Sequence, residues 1–243
     1  MHTEIIFYIL LFMVAFLYSS VGHGGASGYL ALMAFFSFSP EMMRPTALIL
    51  NLFVSLTAFI QYYRNGHFRW KLFWPFAIAS IPAAFVGGLI IMDAAWYKKI
   101  LGMLLLFPVV RLGGIKFNSE NTDKEQTLFA SLLIGAIIGL FSGMIGIGGG
   151  IILSPVILLL HWANMKQTAA VSALFIFVNS LAGLAGIFTT GFEYKPEIVW
   201  MIVIAFSGGL AGSYLGAKKL NHLFLKILLA VVLLMASVKL LFA

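Results

Sequence analysis

Two charge-free stretches, 5–40 and 126–165, are each interrupted near the middle by glycines: Gly22-His23-Gly24-Gly25 in the first and Gly146-Ile147-Gly148-Gly149-Gly150 in the second. The stretches are 36 and 40 residues long. As unbroken helix, at about 1.5 Å per residue, each would run beyond roughly 50 Å, whereas a hydrocarbon core is only about 30 Å thick. Neither stretch can be one membrane crossing. Glycine at the centre of an apolar segment frees backbone groups that lipid cannot satisfy, so such a break is tolerated only where protein buries it or where it lines a cavity. Paired breaks at matching places in two halves of a chain point to the binding site of a transporter.

Composition settles that lipid is the solvent. The apolar fraction is 62% and the charged fraction 9%, against about 45–50% and 25% in soluble proteins. The uncharged intervals 45–63, 72–92, 167–192 and 198–217 each suit a single crossing of about 20 residues. A net charge of +7 would point a soluble protein toward nucleic acid, but these cations lie in short loops between apolar segments, where they set topology instead. With no cysteine, disulfides and thiolate metal sites are excluded, and no metal or cofactor site is expected. The first residues carry no Lys or Arg, so a cleaved signal peptide is not expected.

The chain reads as one fold written twice. A shift of 124 lays Gly22, Gly24 and Gly25 on Gly146, Gly148 and Gly149, and a shift of 125 lays Gly66 on Gly191 and Gly87 on Gly212. A shift of 127 lays Lys99-Ile100-Leu101 on Lys226-Ile227-Leu228. The expected units are a first transmembrane repeat, 1–113, a polar cytoplasmic linker, 114–126, and a second repeat, 127–243. Breaking each long stretch at its glycines gives arms of about 5–20 with 26–38 and 127–143 with 151–161, either a re-entrant hairpin or two short tilted spans. Either way the chain returns to its starting side. The fifteen cations then divide ten to five between the two sides, rather than eight to seven when each stretch crosses once. The positive-inside rule favours the hairpins. Three further crossings per half make the repeats inverted, with both termini outside. The expected fold is an all-α polytopic membrane protein of two inverted repeats, each a glycine-broken helical hairpin plus three transmembrane helices. Trp70, Trp74, Trp96, Trp162 and Trp200 fall near segment ends, as interfacial anchors do.

A helix starting at Ala26 or Ile151 presents unpaired N–H groups and its positive dipole end, an arrangement that binds anions. The candidate ligands are Gly22, His23, Gly24, Gly25 and Ser27 in the first half and Gly146, Gly148, Gly149 and Gly150 in the second. Ser19, Ser20 and Ser142 are further hydroxyl donors nearby. His23 is the one ionisable side chain in 5–40; it either serves substrate or proton, or bonds a carbonyl of the turn. Asn51 and Asn179 each lie inside the helix after a hairpin, where a lone amide is costly. They either hold substrate or bond between helices. Arg44 and Lys166 precede those helices, as anion attractors at the mouths or as snorkelling topology residues.

The run Phe141-Ser142-Gly143-Met144-Ile145-Gly146-Ile147-Gly148-Gly149-Gly150-Ile151-Ile152-Leu153-Ser154-Pro155 resembles the signature of the TauE/SafE sulfite-exporter family, whose members are also grouped as sulfonate-uptake permeases. The resemblance covers the duplicated layout of nearly the whole chain. It implies multi-pass, bacterial-type inner-membrane transport of sulfite, organosulfonates or related small anions, with no catalysis. The first half departs from the pattern, having His23 and Ser27 where the second has Ile147 and Ile151.

No carboxylate falls within a predicted span, so no acidic proton relay is visible. Anion export is favoured by the inside-negative potential alone; uptake requires a proton or another coupling ion. Two rival readings stand beside the carrier. One is a passive anion channel on the same hairpins. The other is a rhomboid-like intramembrane serine protease using Ser27, since Gly25-Ala26-Ser27-Gly28 resembles Gly-x-Ser-Gly and a histidine base would be required.

Overall fold

A computed structural model describes residues 2–20, 22–112, 124–191, 196–216, 234–235 and 237–242. Among them run nine helices: α1 His2–Ser20, α2 Ala26–Phe35, α3 Pro40–Arg64, α4 Trp70–Leu89, α5 Ala94–Leu112, α6 Leu128–Ile145, α7 Gly150–Leu159, α8 Met165–Phe188 and α9 Glu197–Gly216. Residues 237–242 are helical as well, and the described residues contain no strand. Most of the polar joint after 113, and the Lys226-Ile227-Leu228 counterpart of Lys99-Ile100-Leu101, lie outside the described residues.

The breaks fall where the glycines predict, but the arms are unequal. In the first half 19 residues precede the turn and 10 follow it; in the second, 18 and 10. The next two helices also match in length, at 25 and 20 residues against 24 and 20. Five helices are long and apolar enough to cross a membrane, α3, α4, α6, α8 and α9. α6, the longer arm of the second break, is among them.

Outward faces carry large apolar side chains such as Ile78, Ile91, Phe129, Val203 and Phe206. In water such a surface would aggregate; against lipid it is the ordinary exterior. Trp70, Trp74, Trp96 and Trp200 are exposed. Trp162 is buried and tilted against Phe76 at 6.0 Å, so it belongs to the interior rather than to the anchoring belt.

Apolar burial drives no association between helices in lipid, so close backbone approach does instead. Gly135, Gly139 and Gly143 of α6 face the backbone of Phe76, Ser80 and Ala84 of α4, and a β carbon at any of the three would collide with main chain. Gly208 and Gly212 of α9 meet Phe12 and Phe16 of α1 in the same manner. The fourth helix of each half thus lies on the first helix of the other.

Candidate functional site

Each break needs its glycines for their backbone angles. Gly22 and Gly25 have φ of 78° and 97°, and Gly146, Gly148 and Gly149 have 89°, 69° and 77°, all in the left-handed region that residues bearing a β carbon avoid. Gly25 is the N-cap of α2, and Gly149 that of α7.

Helix ends expose carbonyls on one side of such a turn and amides on the other. Here the two are treated differently. Of the last four carbonyls of α1, Leu17 accepts from Ser20 Oγ at 2.8 Å, Tyr18 from His23 N–H at 2.9 Å and Ser19 from Gly22 N–H at 3.0 Å. In α6, Ser142 accepts from Gly146 N–H at 2.9 Å, Gly143 from Arg44 Nε at 2.8 Å and Ile145 from the Tyr97 hydroxyl at 3.0 Å. The outgoing helices α2 and α7 begin with no side-chain cap. α3, α4 and α6 likewise begin without one, and α8 starts with a complete capping box from Asn164 and Gln167. With the negative ends engaged and the positive ends uncapped, both turns favour negative charge.

The turns meet on shared side chains. A β carbon at Gly24 would lie 2.6 Å from Asn51 Oδ1 and 2.9 Å from Ile176 Cγ2; at Gly148 it would lie 2.5 Å from Asn51 Nδ2 and 2.9 Å from the same Ile176 atom. One amide and one methyl therefore touch a glycine of each half. Asn51 Nδ2 donates to Ser180 Oγ at 3.4 Å, while Asn51 Oδ1 is buried without a partner.

His23 provides a second bridge. Its Nε2 lies 3.0 Å from Ser154 Oγ on α7, and Ser154 also donates to Gly150 O at 2.9 Å and lies 2.8 Å from Ser172 Oγ on α8. Ser154 thus sits at a three-way contact of His23, Gly150 and Ser172. The histidine thereby links the first break to α7 of the second half.

Other sequence candidates fall into place differently. Gly150 packs on Ile176 and Gly22 against Ala169 and Tyr62, while Ser27 Oγ lies 2.6 Å from the Tyr18 hydroxyl. Ser142 Oγ is buried and unpartnered. Ser19 donates to Gly209 O of α9 and Ser20 back into α1, so both serve packing. Asn179 Nδ2 donates to Phe175 O of its own helix at 2.8 Å, leaving Oδ1 buried and unpartnered. Arg44 donates to the carbonyls of Gly87, Gly88 and Ile90 as well as Gly143. It caps the end of α4 and fastens it to α6 with four of its five N–H donors. Ser154, Ser172, Ser180 and Ile176 are neighbours of the turns that the sequence did not mark: serine and isoleucine are unremarkable within apolar helices.

Comparison with known proteins identifies the family. The family described as Sulfite exporter TauE/SafE matches residues 7–240. A probable membrane transporter protein, y4hK of Sinorhizobium fredii, is 36% identical over 96% of this chain and 96% of its own length. The probable membrane transporter protein MJ0441 of Methanocaldococcus jannaschii is 26% identical over 61% of this chain and 56% of its own. No solved structure matches the chain. Matched almost from end to end, and built around two glycine-broken helices in an apolar exterior, this chain belongs to the TauE/SafE sulfite exporter family and is a multi-pass membrane transporter of a small molecule rather than an enzyme.

Proposed function

We propose that the protein is a secondary transporter of a small anion, namely sulfite, an organosulfonate or a related sulfur oxyanion, held between the two glycine turns in a cell's inner membrane. The observation that carries this reading is the convergence of Gly24 and Gly148 on one Asn51 side chain beside two uncapped helix starts. The substrate sits against the amides of α2 and α7, with Ser27 donating a hydrogen bond and His23 tuning charge or proton linkage. The short arms support a deep site. Ten residues of helix span about 15 Å, half of a core of about 30 Å, so an arm entering from one surface ends near the midplane. Rocking of one inverted repeat against the other alternates access.

The test is flux in proteoliposomes containing the purified chain, with sulfite, thiosulfate and small sulfonates offered in turn. Saturation and counterflow are the expected results, because a carrier binds before it moves. Flux that rises linearly with concentration and shows no counterflow would establish the channel instead. Gly148→Leu and Gly149→Leu should abolish flux while the protein still inserts, since each side chain would enter occupied space at a left-handed position. The structure pairs Ser27 with Tyr18 and His23 with Ser154, and family membership removes the protease reading.

A further inference from the structure

We propose that the phenol of Tyr29 is a direct ligand of the transported anion at the start of α2, an inference that rests on the anion reading above. Tyr29 is the fourth residue of α2, and its own N–H donates to Gly25 O at 3.0 Å. Side chains on a helix lean toward its N-terminus, which brings this long side chain back past the first turn. Its hydroxyl ends 2.6 Å from the point where a β carbon on Gly25 would sit. Ring and turn fit together only because that carbon is missing.

The hydroxyl is fully buried and has no hydrogen-bond partner. Buried tyrosines ordinarily find one, and a stranded donor carries a free-energy penalty that folding alone does not explain. This donor is stranded beside Gly25, the N-cap of an uncapped helix, where amides and dipole already favour negative charge. An oxyanion supplies what both lack: an acceptor for the phenol and a counter-charge for the helix end. A metal cation would meet the positive end of α2. In the second half a shift of 124 places Leu153 at the matching position, buried and without a polar atom. The first turn therefore offers a phenol where the second offers an apolar side chain.

The experiment titrates sulfite, thiosulfate and ethanesulfonate separately into the purified full-length chain in detergent, by calorimetry, alongside Tyr29→Phe. Phenylalanine keeps the ring against Gly25 and removes only the hydroxyl. Loss of one hydrogen bond to a charged group should weaken binding roughly ten- to a hundred-fold, while the thermal midpoint without anion stays level or rises because a stranded donor is gone. Equal affinity in both proteins overturns the role of Tyr29 and leaves the anion reading intact. Absence of binding by the unaltered chain to all three anions overturns both. Should Tyr29→Phe fail to fold, 3-fluorotyrosine at position 29 replaces it. Its more acidic phenol is the stronger donor and should tighten binding, and unchanged or weaker binding overturns the proposal.

Discussion

At the residue scale, the contacts joining the two turns are polar, and each has a different tolerance for loss. Ser154→Ala removes the hydroxyl that buried His23 meets at Nε2. The expected cost is about 1–3 kcal/mol, visible as a lower unfolding midpoint. Replacing Ser172, whose hydroxyl is 2.8 Å from Ser154, with Ala should cost less, because Ser154 keeps both Gly150 and His23. Equal losses in the two variants would show that His23 does not depend on Ser154. The histidine itself was legible in the sequence, being the one ionisable group in a long apolar stretch. Its partner was not. Ser154 lies 131 positions away on a helix whose other residues are apolar, and no spacing rule connects them. Arg44 shows the converse: a cation near a mouth invited an electrostatic role, yet the carbonyls at the end of α4 claim it.

At the scale of elements, glycine does two jobs that sequence alone does not separate. In the turns it supplies backbone angles; along α6 it lets α4 come close. Gly139→Leu should therefore disrupt the α4–α6 seam, at a cost of about 3 kcal/mol or more, and yield protein that aggregates on size exclusion after detergent extraction. Gly66→Ala offers the contrast, with a φ of 72° and nothing within 4 Å of the added carbon. Its cost should stay near the 1–2 kcal/mol of a left-handed alanine, leaving elution unchanged. The breaks were readable because a 36-residue apolar run is too long for one span. The arms were legible too, apart from their last turns: α6 continues to Ile145, past the expected 143, and ends where Gly146 takes a left-handed angle, a boundary that hydropathy does not mark.

For the whole molecule, the reciprocal seams, α4 on α6 and α9 on α1, are what two halves exchanging partners about a two-fold axis produce. Sequence matching suggested a duplication but gave no sign of these seams, since internal similarity reveals which residues correspond and not which ones touch. If the substrate leaves the cell as an uncoupled monoanion, a potential of 100 mV is worth about 2.3 kcal/mol, roughly a 40- to 50-fold concentration ratio. Clamping proteoliposomes at zero potential with potassium and valinomycin should abolish that excess; an unaffected gradient would indicate electroneutral coupling. The carbonyls already bonded at the ends of α1 and α6 bear on what such coupling can be. Carriers driven by sodium commonly build its cage from the bare oxygens of unwound helices, and here three of the last four on each incoming helix are in use. Each of those carbonyls keeps a second lone pair, so replacing external sodium with potassium in the flux assay separates sodium coupling from a proton-linked or exchange cycle.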